Sequence, residues 1–104
     1  MAAYLIVNYE VEDPALYGEY ARAAGPAMKI GTECQLLAFD PATDRIEGDA
    51  SGRQTVILQF DSKEKARAIY ESGEYQAVIG KRLRATSRHF AILVQGTPPT
   101  SRAG

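Results

Sequence analysis

Apolar and polar residues alternate from the fourth position onward. In "YLIVNYEV", Leu5, Val7, Tyr9 and Val11 fall on one side of an extended chain, and Tyr4, Ile6, Asn8 and Glu10 on the other. That period of two predicts a strand over 4–11. The period then lengthens. "EDPAL" opens a helix, with Asp13 placed to accept from free backbone N–H groups and Pro14 suited to the first helical position. Leu16, Tyr17, Tyr20, Ala24 and Ala27 recur at three- and four-residue spacings. Gly25-Pro26 falls inside this run and predicts a kink or restart near residues 23–25, because proline removes one helical bond and crowds the preceding turn. Gly31 is a natural stop.

The later elements follow in the same way. "ECQLLAF" (33–39) reads as a second strand, and "DPATDRIEGDASG" as a long turn rich in Gly, Asp and Pro. "QTVILQF" (54–60) is a β-branched third strand. "DSKEKARAIYE" is a helix capped by Asp61 or Ser62, with Ala66, Ile69 and Tyr70 on its buried side. "SGEYQAVIGKRLRA" is a further helix, with Ser72 as its cap and Glu74 in the first turn, where negative charge suits the helix dipole. "RHFAILVQ" (88–95) is the last strand, and "GTPPTSRAG" carries no periodicity and reads as a loose tail.

The order β-α-β-β-α-α-β predicts an α+β fold of the ferredoxin-like type: a four-stranded antiparallel sheet with helices on one face. One domain over 1–96 and a tail over 97–104 are expected. Leu5, Val7 and Tyr9, with Val56, Leu58 and Phe60 and with Phe90, Ile92 and Val94, make an almost purely apolar set for the helix side. The other set holds Tyr4, Ile6 and Asn8, then Thr55, Ile57 and Gln59, then His89, Ala91, Leu93 and Gln95. It is mixed, yet too apolar for an open solvent face, so a second copy of the chain, sheet against sheet, is the expected cover.

Composition changes this picture little. The 104 residues are 45% hydrophobic and 24% charged, ordinary for one globular domain. "AAYLIV" is too short to span a bilayer, and the first residues lack the pattern of a secretory signal. The single cysteine, Cys34, makes no intrachain disulfide and fits a reducing compartment, so a cytoplasmic protein is expected. Net charge is −1, which supplies no global field for nucleic acid or membrane. Residues 1–60 hold nine acids and four bases, residues 61–104 four acids and eight bases. Solvated helix faces account for that asymmetry, and an anion site in the second half is the sharper alternative.

"IEGD" at 46–49, "VILQF" followed by Ser62, the helix bearing Ala66 and Tyr70, "SGEYQ" at 72–76, Arg82 and "ILVQG" at 92–96 succeed one another at the spacings of a known family. Over roughly residues 4–96 the chain resembles the DUF1330 family of small bacterial proteins in the dimeric α/β-barrel superfamily. It departs from the family pattern at Ile69, where relatives often carry Trp, and at Gly73, where they carry Pro. The superfamily includes cofactor-independent monooxygenases, lactone isomerases, haem enzymes and plain binding modules. The resemblance therefore implies a fold with sheets paired in a dimeric barrel, rather than a reaction.

Candidate chemistry rests on few residues. His89 is the only side chain whose ordinary pKa lies near neutrality, which makes it a candidate base or haem ligand, or else an inert interface residue. Glu47, beside the turn-forming Gly48, is a second candidate catalytic group, or half of an ion pair pinning the long loop. Arg82 presents a fork that can hold a carboxylate ligand, or can pair with an internal glutamate such as Glu47. Tyr70 and Tyr75 straddle the helix break and can orient a ligand or anchor the core. Asn8 and Ser62 complete the candidate ligand contacts. No phosphate-binding loop, dinucleotide fingerprint, nucleophile elbow or metal cluster appears, so no cofactor and no metal are expected. These residues point to a cytosolic homodimer that binds a small organic ligand between sheet and helices. The alternatives are a cofactor-independent enzyme moving a proton on a small carbonyl or aromatic substrate, and a dimer with no ligand at all.

Overall fold

The computed structural model describes residues 1–97. Seven elements follow the expected order: β1 (Ala3–Val11), α1 (Pro14–Ala27), β2 (Gln35–Asp40), β3 (Gln54–Phe60), α2 (Lys63–Tyr70), α3 (Gly73–Ala85) and β4 (Thr86–Gln95). The strands form one antiparallel sheet in the order β2-β3-β1-β4, with the helices on one face. The expected tail lies, from residue 98, outside the described residues.

Local chemistry starts and stops the helices. Asp13 accepts the Leu16 N–H at 3.1 Å, Ser62 accepts that of Lys65 at 3.1 Å, and Ser72 accepts that of Tyr75 at 3.2 Å. Ser72 also donates its hydroxyl to the Ile69 carbonyl at 2.7 Å, so one serine closes α2 and opens α3. α1 does not restart: it runs unbroken through Gly25 to Ala27. Pro26 stands in the closing turn, where one missing bond interrupts nothing that continues, and the Met28 N–H still reaches the Ala24 carbonyl at 2.8 Å. Lys29 and Gly31, both at positive φ, then reverse the chain toward β2.

Register corrects the expected faces. Leu5 opposes Leu58 on β3 and Leu93 on β4, and Val7 opposes Val56 and Ala91. Directly opposed residues share a face, so Leu93 and Ala91 lie on the helix side. Phe90, Ile92 and Val94 therefore join Asn8, Ile6 and Tyr4 on the open face, the reverse of the expectation. His89 does not share a face with Tyr4 and Asn8. Both parity sets of β4 are apolar, so alternation alone could not orient this strand. A bulge adds to the difficulty: Arg88 and His89 stand against Tyr9 alone, with Arg88 at φ 54°. A second bulge, at Leu37 on β2, turns both Leu36 and Phe39 toward the helix side.

The core lies between sheet and helices, with Tyr9 and Phe60 its largest fully buried side chains. α2 lies over β1 and β4, whereas α1 rests chiefly on α3 rather than on the sheet. The free edge of the helix layer, above β2 and β3, is consequently underfilled.

Candidate functional site

A cavity of about 190 Å³ occupies that underfilled space. Its sheet wall includes Leu5, Val7, Val56 and Leu58, its helix wall Tyr20, Ala24 and Met28, and its outer rim Leu36 and Phe39. The Leu37 bulge makes that rim, because strict alternation would send Leu36 and Phe39 to opposite faces.

Four of the six tyrosines, Tyr9, Tyr17, Tyr20 and Tyr75, line it, and Tyr70 packs against Tyr75 behind them. Their rings form a continuous chain: Tyr9–Tyr17 at 5.7 Å between centroids, Tyr17–Tyr20 at 5.6 Å, Tyr20–Tyr75 at 6.3 Å and Tyr75–Tyr70 at 5.1 Å. Four of the hydroxyls are paired with one another. Tyr9 and Tyr17 share a hydrogen bond of 2.7 Å, Gln54 Nε2 donates to Tyr17 at 2.7 Å, and Tyr20 and Tyr75 share one of 2.6 Å. Burial pushes the Tyr17, Tyr20 and Tyr75 phenols above their ordinary pKa, with the neighbouring phenols adding to the rise for Tyr17 and Tyr20. These groups stay neutral at pH 7.

Arg82 is the one charged residue on the cavity wall, and it is 3% exposed. Its guanidinium carbon lies 5.5 Å from the Tyr9 ring centre and 5.9 Å from that of Tyr20, both within cation–π range. Nη2 reaches the Tyr70 hydroxyl only at 3.5 Å, and the buried Nε–H meets no acceptor. The expected pairing of Arg82 with a glutamate is not formed: none of the ion pairs among the described residues includes it. Glu47 lies exposed in the segment between β2 and β3, next to Gly48 at φ 80°.

Of the seven residues singled out from sequence, the fold thus gathers three, Arg82, Tyr70 and Tyr75. The other four lie apart. His89 is exposed within the β4 bulge. Ser62 is engaged as the α2 cap. Asn8 is buried, and its side chain accepts the Gly52 N–H at 2.7 Å while donating to the Gly52 carbonyl at 3.1 Å and to Thr55 Oγ1 at 2.9 Å. That amide-to-backbone pairing clamps the end of the long loop onto β1, where a side chain at position 52 would strike the Tyr9 backbone. Sequence reasoning missed Tyr9, Tyr17 and Tyr20 as cavity residues. The available signal was their placement: Tyr9 in the helix-side set of β1, and Tyr17 and Tyr20 three apart on one helix face.

No helix among the described residues is long and apolar enough to cross a membrane, and no group of three or more acidic, His or Cys residues among them is arranged to hold a metal. Comparison with curated proteins finds no match. Solved structures do match in fold. A protein of unknown function from Rhodopseudomonas palustris, RPA0582, superposes with a TM-score of 0.73 at 12% identity, over 94% of this chain and 84% of that one. A dimeric ferredoxin-like protein of unknown function from Thermobifida fusca gives 0.63 at 16% identity, over 89% of each chain. SnoaB, a cofactor-independent oxygenase from Streptomyces nogalater, gives 0.63 at 12% identity, over 96% of this chain and 97% of that one. The family model for DUF1330, a domain of unknown function, matches residues 2–97, and the chain belongs to that family.

Proposed function

We propose that the protein is a homodimer, joined through the open sheet face, in which each protomer holds a small organic ligand in the cavity between α1 and the sheet. The carrying observation is the cavity itself: an apolar, partly enclosed space that ends in a cluster of tyrosines and one arginine. Apolar walls with a few convergent polar groups are the common make-up of a ligand site. A cavity of roughly 150 Å³ accepts a benzene ring, so about 190 Å³ suits one ring with a small substituent. The buried, unreactive setting of Cys34, whose thiol donates to the Met28 carbonyl at 3.3 Å, accords with action in the cytoplasm.

Binding is preferred over catalysis on the make-up of the wall. SnoaB is described as an oxygenase, but at 12% identity the likeness concerns the fold. The lining here contains no Asp, Glu, His or Lys, and burial makes Tyr17, Tyr20 and Tyr75 hold their protons firmly. Proton abstraction by His89 or Glu47 would need a second pocket around those exposed residues.

Thermal-shift screening against single-ring aromatic compounds tests the reading. The wild type should melt higher with a binding compound, by an amount that grows with concentration. Ala21, exposed at the cavity mouth, offers a plug: Ala21→Phe should fold normally and lose the shift. If no compound in the series shifts the wild type, or if the plugged variant responds equally, the ligand is not in this cavity.

A further inference from the structure

We infer that the ligand class is a small organic monocarboxylate, its carboxylate paired with Arg82 and its apolar body lodged against Leu5, Val7, Met28 and Leu58. This rests on reading the cavity as a ligand site and adds the charge and headgroup of what fills it.

The argument begins with an imbalance. An arginine 3% exposed carries a full positive charge, yet no carboxylate faces it and one N–H meets no acceptor. Buried polar groups are nearly always paired, and a buried charge left alone is costly. The faces of Tyr9 and Tyr20 soften that cost without cancelling the charge. The tyrosines supply no anion, because Tyr17, Tyr20 and Tyr75 are neutral and hydrogen-bonded to one another or to Gln54. An isolated cation at the end of an apolar cavity is therefore a site short of one negative charge.

Charge counting selects the partner. One fixed positive charge is neutralised by one negative charge, and a dianion such as a phosphate monoester would leave excess charge against apolar walls. Guanidinium and carboxylate match in planarity and in donor–acceptor spacing. Cavity size limits the rest to about one six-membered ring or a short branched chain. Benzoate is the simplest probe with these properties, and benzamide is its neutral counterpart of nearly the same shape.

Calorimetric titration of the full-length chain with benzoate, benzamide and phenyl phosphate makes the test. Benzoate should bind at least tenfold more tightly than either of the others. Arg82→Met should keep the fold, melt no lower than the ligand-free wild type, and lose the preference for benzoate over benzamide. A purely structural arginine would instead give a lower melting temperature on substitution and no carboxylate preference in the wild type. If benzamide binds as well as benzoate, the charge inference fails while the cavity reading stands. If neither binds and neutral rings do not bind, both fail. Should Arg82→Met not fold, the benzoate-to-benzamide ratio on the wild type decides alone.

Discussion

Tyr20 and Tyr75 share a buried hydrogen bond of 2.6 Å that joins α1 to α3, and each hydroxyl depends on the other. Removing one phenol leaves a buried hydroxyl unmatched, whereas removing both leaves nothing unmatched. Tyr20→Phe and Tyr75→Phe should each destabilise the protein by about 1–2 kcal/mol, and the double variant by clearly less than their sum. Denaturant titration of the four proteins checks this, and additive losses would mean that the hydroxyls are satisfied elsewhere. At this scale much was legible. Asp13, Ser62 and Ser72 cap as their positions suggested, because capping depends only on residues three or four apart. Arg82 was legible as a special residue but not as an unpaired one. Pairing depends on what the fold brings near, and the fold brings five aromatic rings in place of an acid. Gly73 begins α3 as an ordinary helical residue without positive φ, so the turn before it owes its shape to Ser72 rather than to the glycine.

A few surface ion pairs also link the elements. Glu10 on β1 accepts from Arg53, the residue before β3, through Nε at 2.8 Å and the backbone N–H at 3.0 Å. Glu33, before β2, meets Lys65 on α2 at 2.6 Å. The side-chain hydrogen bond from Arg53, then its backbone N–H, holds the Glu10 carboxyl below its usual pKa, and Lys65 does the same for Glu33. A lowered folded-state pKa contributes stability above the unfolded value, and that contribution is lost as pH falls through the folded value. The melting temperature of the wild type should therefore exceed that of Glu10→Gln near pH 7, and the gap should close below about pH 4. A gap that persists in acid would assign the effect to packing rather than charge. Element type and order were readable because the period of two and the helical spacing alternate cleanly along the chain. Strand orientation was not. β4 follows α3 without a connecting residue and is bulged at Arg88 and His89, so its facing is set by that junction and not by its own alternation.

At the scale of the molecule, the open sheet face is more apolar than sequence parity suggested. Phe90, Ile92 and Val94 are 43%, 49% and 38% exposed, and they adjoin Ile6 and Ile57 across the strands. A contiguous apolar patch of this kind is the surface that the proposed dimer would cover. Proteins of the same fold from Thermobifida fusca and Jannaschia are described as dimeric. Light scattering should give a dimer mass for the wild type. Ile92→Glu, which sets like charges against each other across a two-fold axis, should give a folded monomer. A monomeric wild type would overturn the proposed interface. A covered sheet face was an expectation open to the sequence because either parity of β4 leaves that face too apolar for water; which residues form the face required the register.

The strand order carries a consequence in time. β1 is a central strand flanked by β3 and β4, and its partner β4 is the last of the described elements along the chain. The apolar alternation of β1 finds its second neighbour only when residue 95 has been synthesised. Until then Leu5, Val7 and Ile6 sit on an unfinished edge, open to pairing with any other extended chain. Sheet closure joins the two ends of the domain across most of its length, so folding should be slow for the protein's size and should come late on the ribosome, in a single cooperative step.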